Sequence, residues 1–446
     1  MTQTAQLESG LKRRLGLTSA TAMIVGEVIA VGIFLTPANM AKSLGSPVWV
    51  LIVWLVMGGM AMSGALCYGE MAARFPRAGG SYVYLREAYG PGLAFLYGWK
   101  CFLVMDPGIT AALATGMASY LGYAINLSPA GAKAIAITAI LLLAGANILG
   151  VRVGAWLIRW LTALKLGLLA VIILWGFGLR LGDWSNFIPL AAARPGSRPF
   201  AEAIASGTVA AFFSFGGWWD ASKITGEVRD PQRVMPRAFI LGIGIVTLVY
   251  ILTSAAFVYL VPIERVTSGE TFAAQAGEIL FGRAGGQVFS SIVIISVLGS
   301  LLGVIITAPR VYYAMARDGL FLSAAAKLDP RFDTPARAIA LQALLASLLV
   351  AIGTFDQIIG YFIFVTVVFV ALSVGAIFKL RRKPESEQSY RTPGYPVTPA
   401  IFITLVIALL CLFAANNPRQ AFSGVAVVAL GAPVYYFIFR KKSAEP

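Results

Sequence analysis

The chain alternates long apolar runs with short polar breaks from near its start to near its end. A helix needs about 20 mostly apolar residues to cross the hydrocarbon core of a bilayer. Twelve runs meet that length, at roughly 17–41, 47–71, 92–125, 133–150, 155–179, 203–226, 238–262, 286–316, 337–354, 357–379, 398–415 and 421–439. Only the linkers 180–202, 263–285 and 380–397 are long enough to hold structure of their own. The pattern predicts one all-α membrane domain over 17–439, flanked by a polar segment at 1–16 and a tail at 440–446.

Composition agrees with that pattern. Hydrophobic residues make up 58% of the 446 and charged residues 12%, with a mean hydropathy of +0.80. Soluble domains are about one quarter charged. So few charges cannot cover a water-facing surface, and the apolar remainder needs lipid. There is no histidine, which removes the usual general base and the commonest metal ligand. With no close acid–base cluster either, the sequence argues against an enzyme and implies no cofactor or metal. Cys67, Cys101 and Cys411 lie in apolar segments without CxxC spacing and are expected to be buried thiols. The first run is too long for the apolar core of a cleavable leader.

The net charge of +15 suggests nucleic acid until its placement is considered. Of the 35 Lys and Arg, 25 fall in one alternating set of loops and termini and 8 in the other, with Lys100 and Lys165 inside spans. By the positive-inside rule this puts both termini in the cytoplasm and requires an even number of spans; the expected location is the cell's inner (plasma) membrane. The basic excess is thus a topology signal, and nucleic acid is not an expected partner. The chain has no GxxxxGK[ST] phosphate loop to suggest an ATP-driven pump. It has no ring of like charge or filter motif to suggest a channel.

Charges at membrane depth cost roughly 2.5–3.5 kcal/mol each on insertion scales, so they face a cavity or a partner. Glu27, Lys100, Asp106, Lys165 and Asp220 are of this kind. Glu70, Lys223 and Glu227 stand at span ends and are expected to reach toward water. Glycine is the second clue. Gly58, Gly64 and Gly375 suit close helix packing. The adjacent Gly216-Gly217 in "FFSFGGWWD" (212–220) and the weaker Ala30-Val31-Gly32 in "VGEVIAVGIF" (25–34) instead interrupt helices in mid-membrane. Unwound backbone is tolerated there only where it lines a cavity or meets a ligand. The two half-helix ends attract opposite charges, and an amino acid carries one of each. Breaks in runs 1 and 6 point to a transporter of inverted five-span repeats.

The motifs carry a resemblance. They are "GIF" at 32–34 with Pro37, "YGEMAARFPRAGGSYVYLREAYGP" at 68–91, "FLYGW" at 95–99, "TALKLG" at 162–167, "FSFGGWW" at 213–219 and "GEVRDPQRVMPRA" at 226–238. Further along stand "PRVYYAMARDGLF" at 309–321, "TPARAIALQ" at 334–342, "YRTPGYPVTP" at 390–399 and "PVYYFIF" at 433–439. In this order they resemble the amino acid–polyamine–organocation (APC) superfamily over nearly the whole chain, and within it bacterial relatives of the L-amino acid transporter light chains.

That resemblance implies a LeuT-like fold of ten core spans in two inverted repeats plus two more, with spans 1 and 6 unwound. It implies that a substrate carboxylate meets the amides of Ala30, Val31 and Gly32. The amino group would meet carbonyls near Ile29, Phe213, Ser214 and Gly216, with Phe213 as a gate and Trp218 and Trp219 beside the site. Lys165 resembles the lysine that replaces a bound sodium ion between spans 1 and 8, near Ser296, Gly299 and Ser300. The family usually carries Gly-Ser-Gly where this chain has Ala30-Val31-Gly32, so the serine hydroxyl is lost while the main-chain amides survive. Trp219 replaces a small polar residue, which implies a narrower pocket. Glu27 is also unusual, and opposite Lys165 it is expected to form a proton-sensitive pair.

The expected function is secondary active transport of an L-amino acid, preferably neutral, by alternating access. Coupling is by exchange or by proton symport through Lys165. Asp220 raises the rival of a cationic amino acid or polyamine antiporter. A non-transporting amino acid sensor is the alternative of another class. Expected partners are the amino acid, protons and the bilayer.

Overall fold

The computed structural model describes residues 11–30, 32–125, 127–192, 196, 198–268, 272–352, 363–383, 390–416 and 418–440. Among these residues there is no strand, only one isolated bridge between Leu15 and Val228. A helix satisfies its own backbone groups, which hydrocarbon demands. The elements that position the site are α1 (Leu17–Val28), α2 (Gly32–Leu44), α3 (Pro47–Arg74), α4 (Asp106–Ile125), α5 (Val151–Gly178), α6 (Phe200–Ser214), α7 (Pro231–Leu260) and α8 (Gly285–Thr307). A 3-10 segment, Trp218–Glu227, follows α6.

Local chemistry sets several boundaries. Proline opens α3 and α7 at the first turn, where its missing N–H is not needed. The helix Pro129–Ile148 starts at Ser128, whose hydroxyl accepts from the Gly131 N–H at 3.1 Å. A π segment, Cys101–Met105, joins Pro91–Lys100 to α4, a wider turn the apolar pattern did not disclose.

Nine described helices are long and apolar enough to cross a membrane, or ten if α1 and α2 count as one span bent by 44°. Ala336–Ile352 and Phe364–Leu380 are apolar but shorter. Part of the expected run 357–379 lies outside the described residues.

Small residues let the central helices approach. A Cβ on Gly58 of α3 would collide with Thr247 of α7. One on Gly64 would lie 2.6 Å from Phe402 and 2.7 Å from Trp218. The outer face inverts the soluble pattern. On α5, Ile158, Thr162, Lys165 and Leu169 are buried while Trp156, Trp160, Leu164 and Leu174 are exposed. Cys411 is exposed as well, so the expectation of three buried thiols holds only for Cys67 and Cys101. In a spanning helix the exposed face is the apolar one.

Hydrogen bonds gather the loops into two ends. At one, Arg14 meets Asp333, Tyr82 meets Asp318, Arg381 meets Glu70 and the Thr334 hydroxyl donates to the Ile148 carbonyl. At the other, Ser46 meets Leu190, Arg198 meets Ser43 and Asp183 meets Tyr259. The first group collects the loops of the lysine- and arginine-rich set.

Candidate functional site

The two breaks lie against each other. Helix α1 stops at Val28; Ile29 N–H still reaches Val25 O at 3.0 Å and Ala30 N–H turns back to Val28 O at 2.9 Å. The last carbonyls of a helix have no partner within it. Here three side chains from other helices supply one. Lys165 Nζ of α5 donates to Gly26 O (2.9 Å), Ile29 O (2.6 Å) and, on α8, Ser296 O (2.8 Å). The Ser300 hydroxyl lies 2.7 Å from Gly26 O and 3.2 Å from Ile29 O. The Tyr250 hydroxyl of α7 lies 3.0 Å from Val28 O and 2.7 Å from Ser214 O, so one buried group spans both breaks.

The second break follows Ser214. Phe215 and Gly216 close the last turn of α6 through Ala211 O and Phe213 O. Gly217 then takes φ 105°, a left-handed conformation that favours glycine, and the chain resumes as the 3-10 segment. At the start of α2, a Cβ on Gly32 would lie 2.7 Å from the Ser214 hydroxyl and 2.9 Å from its Cα. No side chain fits there. Thr36 Oγ1 and Ser214 Oγ hydrogen-bond at 2.7 Å across the same gap.

Between the breaks lies a cavity of about 440 Å³. Ala30, Gly32, Phe213, Ser214, Gly216, Trp219, Glu27 and Asp220 line it, all singled out from sequence. Leu35, Met105, Ile109, Leu113, Val304 and Val367 add an apolar wall that sequence reasoning missed, because apolar lining looks like any other span. Exposed Asn39 lies in the lining, whereas Glu27 is buried. Three expectations change. Trp218 lies outside the wall, packed edge-on to Tyr68, Phe239 and Phe402. Ile29 presents its carbonyl to Lys165 while its side chain is fully buried. Lys165 is hydrogen-bonded to carbonyls and Ser300, not to Glu27, so the expected Glu27–Lys165 pair is not made. Val31 lies outside the described residues.

Most of the remaining intramembrane charges form buried ion pairs, and Lys100 is held by a hydroxyl and two rings. Lys223 Nζ sits 3.2 Å from Asp106 Oδ1 and 3.0 Å from Asp220 Oδ1. The Tyr312 hydroxyl donates to the other Asp106 oxygen at 3.0 Å. Lys100 Nζ donates to Thr366 Oγ1 at 3.2 Å and lies over the rings of Tyr97 and Phe369. Glu227 pairs with Arg310 at 2.7 Å and Glu70 with Arg381 at 2.6 Å. Glu70, Lys223 and Glu227 are therefore buried and paired, not reaching for water as their place at span ends suggested. The missed signal was that each had an opposite charge elsewhere in the chain, Asp106 for Lys223, Arg310 for Glu227 and Arg381 for Glu70.

A latch lies at the lysine-rich end. Arg14 and Leu15 N–H both donate to Glu227 O, and Arg229 N–H donates to Leu15 O. Lys12 and Arg14 meet the Asp333 carboxylate at 2.9 and 3.0 Å. The Lys12 hydrogen bond first, then the charges of Lys12 and Arg14, hold the Asp333 carboxyl below its usual range. A lowered carboxyl contributes above its unfolded value and stops contributing as pH falls through its folded one. The latch is thus expected to be whole at neutral pH and to weaken only below about pH 4. Asp333→Asn should raise the labelling rate of a Leu15→Cys variant by less than about fivefold, since exposed pairs contribute at most ~1 kcal/mol. High salt should shrink the difference.

A helical bundle with two apposed half-helix breaks around a cavity, and a lysine from a third helix at their junction, defines a membrane transport protein. The profile of the family described as amino acid permease matches residues 15–439. The chain therefore belongs to the amino acid permease family of the APC superfamily, multi-pass membrane proteins that carry amino acids. It is 32% identical over 445 residues to the serine/threonine exchanger SteT of Bacillus subtilis (strain 168), covering 98% of this chain and 99% of that one. It is 29% identical to human b(0,+)-type amino acid transporter 1, covering 97% and 88%. It is also 29% identical to the human large neutral amino acids transporter small subunit 2, covering 96% and 80%.

Proposed function

We propose that this permease exchanges neutral L-amino acids across the cell's inner membrane by alternating access. The observation that carries this reading is the cavity between the two breaks, about 440 Å³ in volume and walled mostly by apolar side chains. One end of an amino acid has a home there at the start of α2, where a half-helix N-terminus favours a carboxylate. Ala30 and Gly32 are the described residues at that point. The apolar wall, with Phe213 and Trp219, takes the side chain. The relatives named as a serine/threonine exchanger and a large neutral amino acid transporter support a neutral substrate and exchange. Asp220 gives the cationic rival less support than its sequence position did, because Lys223 already neutralises it at 3.0 Å.

In this reading twelve spans, five and five inverted plus two, cross with both termini in the cytoplasm. The latch of Lys12, Arg14 and Asp333 then closes the cytoplasmic side, and Lys165, Ser296 and Ser300 join span 1 to span 8. Counterflow tests the function. Proteoliposomes loaded with unlabelled L-serine, L-alanine, L-leucine, L-arginine or putrescine are placed in labelled L-alanine. Accumulation driven by internal neutral amino acids is expected. Accumulation with labelled L-arginine alone would establish the cationic rival, and binding without any flux the sensor.

A further inference from the structure

Glu27 is an acceptor that the rest of the fold leaves unused. It is 5% exposed, lines the cavity, and neither carboxylate oxygen has a hydrogen-bond partner. The cations near it, Lys165 and Lys223, are engaged elsewhere. From α5, Lys165 is held by three carbonyls. From the 3-10 segment, Lys223 serves Asp106 and Asp220. From α7, the Tyr250 hydroxyl is on Val28 O and Ser214 O. From α8, the Thr307 hydroxyl, 3.5 Å from Val304 O, also faces the carboxylate but is a neutral donor, and Gly303 leaves just enough room: a Cβ there would lie 3.0 Å from Oε1. Asp106 and Asp220 add repulsion and Lys223 attraction. Three of the four carbonyls near which the family resemblance places a substrate amino group already hold one donor. Ile29 O accepts from Lys165, Ser214 O from Tyr250 and Phe213 O from Gly216 N–H.

An ionised carboxylate this deep without a partner costs several kcal/mol. It therefore takes a proton or a cation from the cavity, and the cation an amino acid brings is its ammonium. We propose that Glu27 holds either a proton or the substrate's ammonium group, never both. Binding breaks the carboxyl O–H bond, the proton leaves to cavity water, and the carboxylate pairs with the –NH₃⁺, which keeps its three protons. One substrate bound thus releases one proton. This rests on the amino acid transport reading and adds proton linkage to it.

The test uses purified full-length protein and the best bound of L-serine, L-alanine, L-leucine and L-arginine. Affinity is measured from pH 5 to 8, and proton release by an indicator dye in weak buffer. The expected result is one proton released per substrate, with Kd rising about tenfold per pH unit on the acid side. Glu27→Gln should bind at least tenfold more weakly at neutral pH, with a flat profile and no release. Glu27→Asp should keep the slope. Wild-type slope and affinity in Glu27→Gln would overturn the proposal and move the proton to another group. Should Glu27→Gln fail to fold, the wild-type proton count decides alone, and zero release overturns the proposal. A wild type that exchanges none of the four amino acids in liposomes would overturn the transport reading beneath it, a failure distinct from exchange without proton release.

Discussion

Lys165→Ala is expected to lower exchange by more than about 100-fold while leaving the protein in the membrane. The side chain is fully buried and makes three hydrogen bonds under 3.0 Å to main-chain carbonyls. Two of those carbonyls, of Gly26 and Ile29, belong to the interrupted end of α1, and the third, of Ser296, to α8. A cation at a helix C-terminus answers both the unpaired carbonyls and the helix dipole. Each buried carbonyl left unpaired costs roughly 1–3 kcal/mol. Ser300 still reaches Gly26 O and Ile29 O, so part of the loss is covered. A remainder of about 3 kcal/mol is enough for two powers of ten in the population of the competent state. Arginine should not rescue, because the pocket is closed by Gly299, where a Cβ would already lie 3.1 Å from the lysine Nζ. Initial rates of counterflow with matched protein content measure the effect. Wild-type kinetics in Lys165→Ala would mean that the α1–α8 junction is held by something else.

What could be read from the chain, and what could not, divides along a physical line. Apolar runs report only that a segment suits lipid, so an all-helical membrane protein was legible while helix-internal detail was not. The Cys101–Met105 π segment adds no polar residue and leaves no mark on hydropathy. Breaks were legible where they needed unusual residues. Gly216-Gly217 had to be glycine-rich because Gly217 turns left-handed beside Glu27. Lys165 was legible because a lone cation in a span must have an acceptor. Which acceptor was not, since main-chain carbonyls carry no sequence signal; the choice fell on Glu27 and the structure puts it on Gly26, Ile29 and Ser296. Trp218 and Trp219 show the limit most plainly. Two identical neighbours on a 3-10 turn point to different sides, one into the cavity and one into the packing of Tyr68 and Phe402.

The same logic, carried to the charges below the cavity, makes Lys223→Met the variant expected to harm folding most. Lys223 stands between two carboxylates from different parts of the chain, Asp106 at the start of α4 and Asp220 one turn earlier in the 3-10 segment. All three side chains are at most 2% exposed. With the cation gone, two buried carboxylates would face each other and the Tyr312 hydroxyl would be the one donor left to Asp106 among the described contacts. Removing one partner of a buried pair costs about 3–5 kcal/mol, a large share of the 5–15 kcal/mol margin of an ordinary domain. Little folded protein, or a thermal midpoint lowered by many degrees in detergent, is the expected outcome. The cost comes from stranded charge and not from lost attraction, so a second prediction separates the two. Asp106→Asn and Asp220→Asn added to Lys223→Met should restore most of the folded yield, because a neutral network of similar volume is often near neutral in stability. If Lys223→Met alone unfolds like the wild type, the lysine does not hold this segment and the prediction fails. If the triple variant folds but does not exchange, the ion network does more than hold the segment in place: it sets the field in which Glu27 chooses between a proton and an ammonium group.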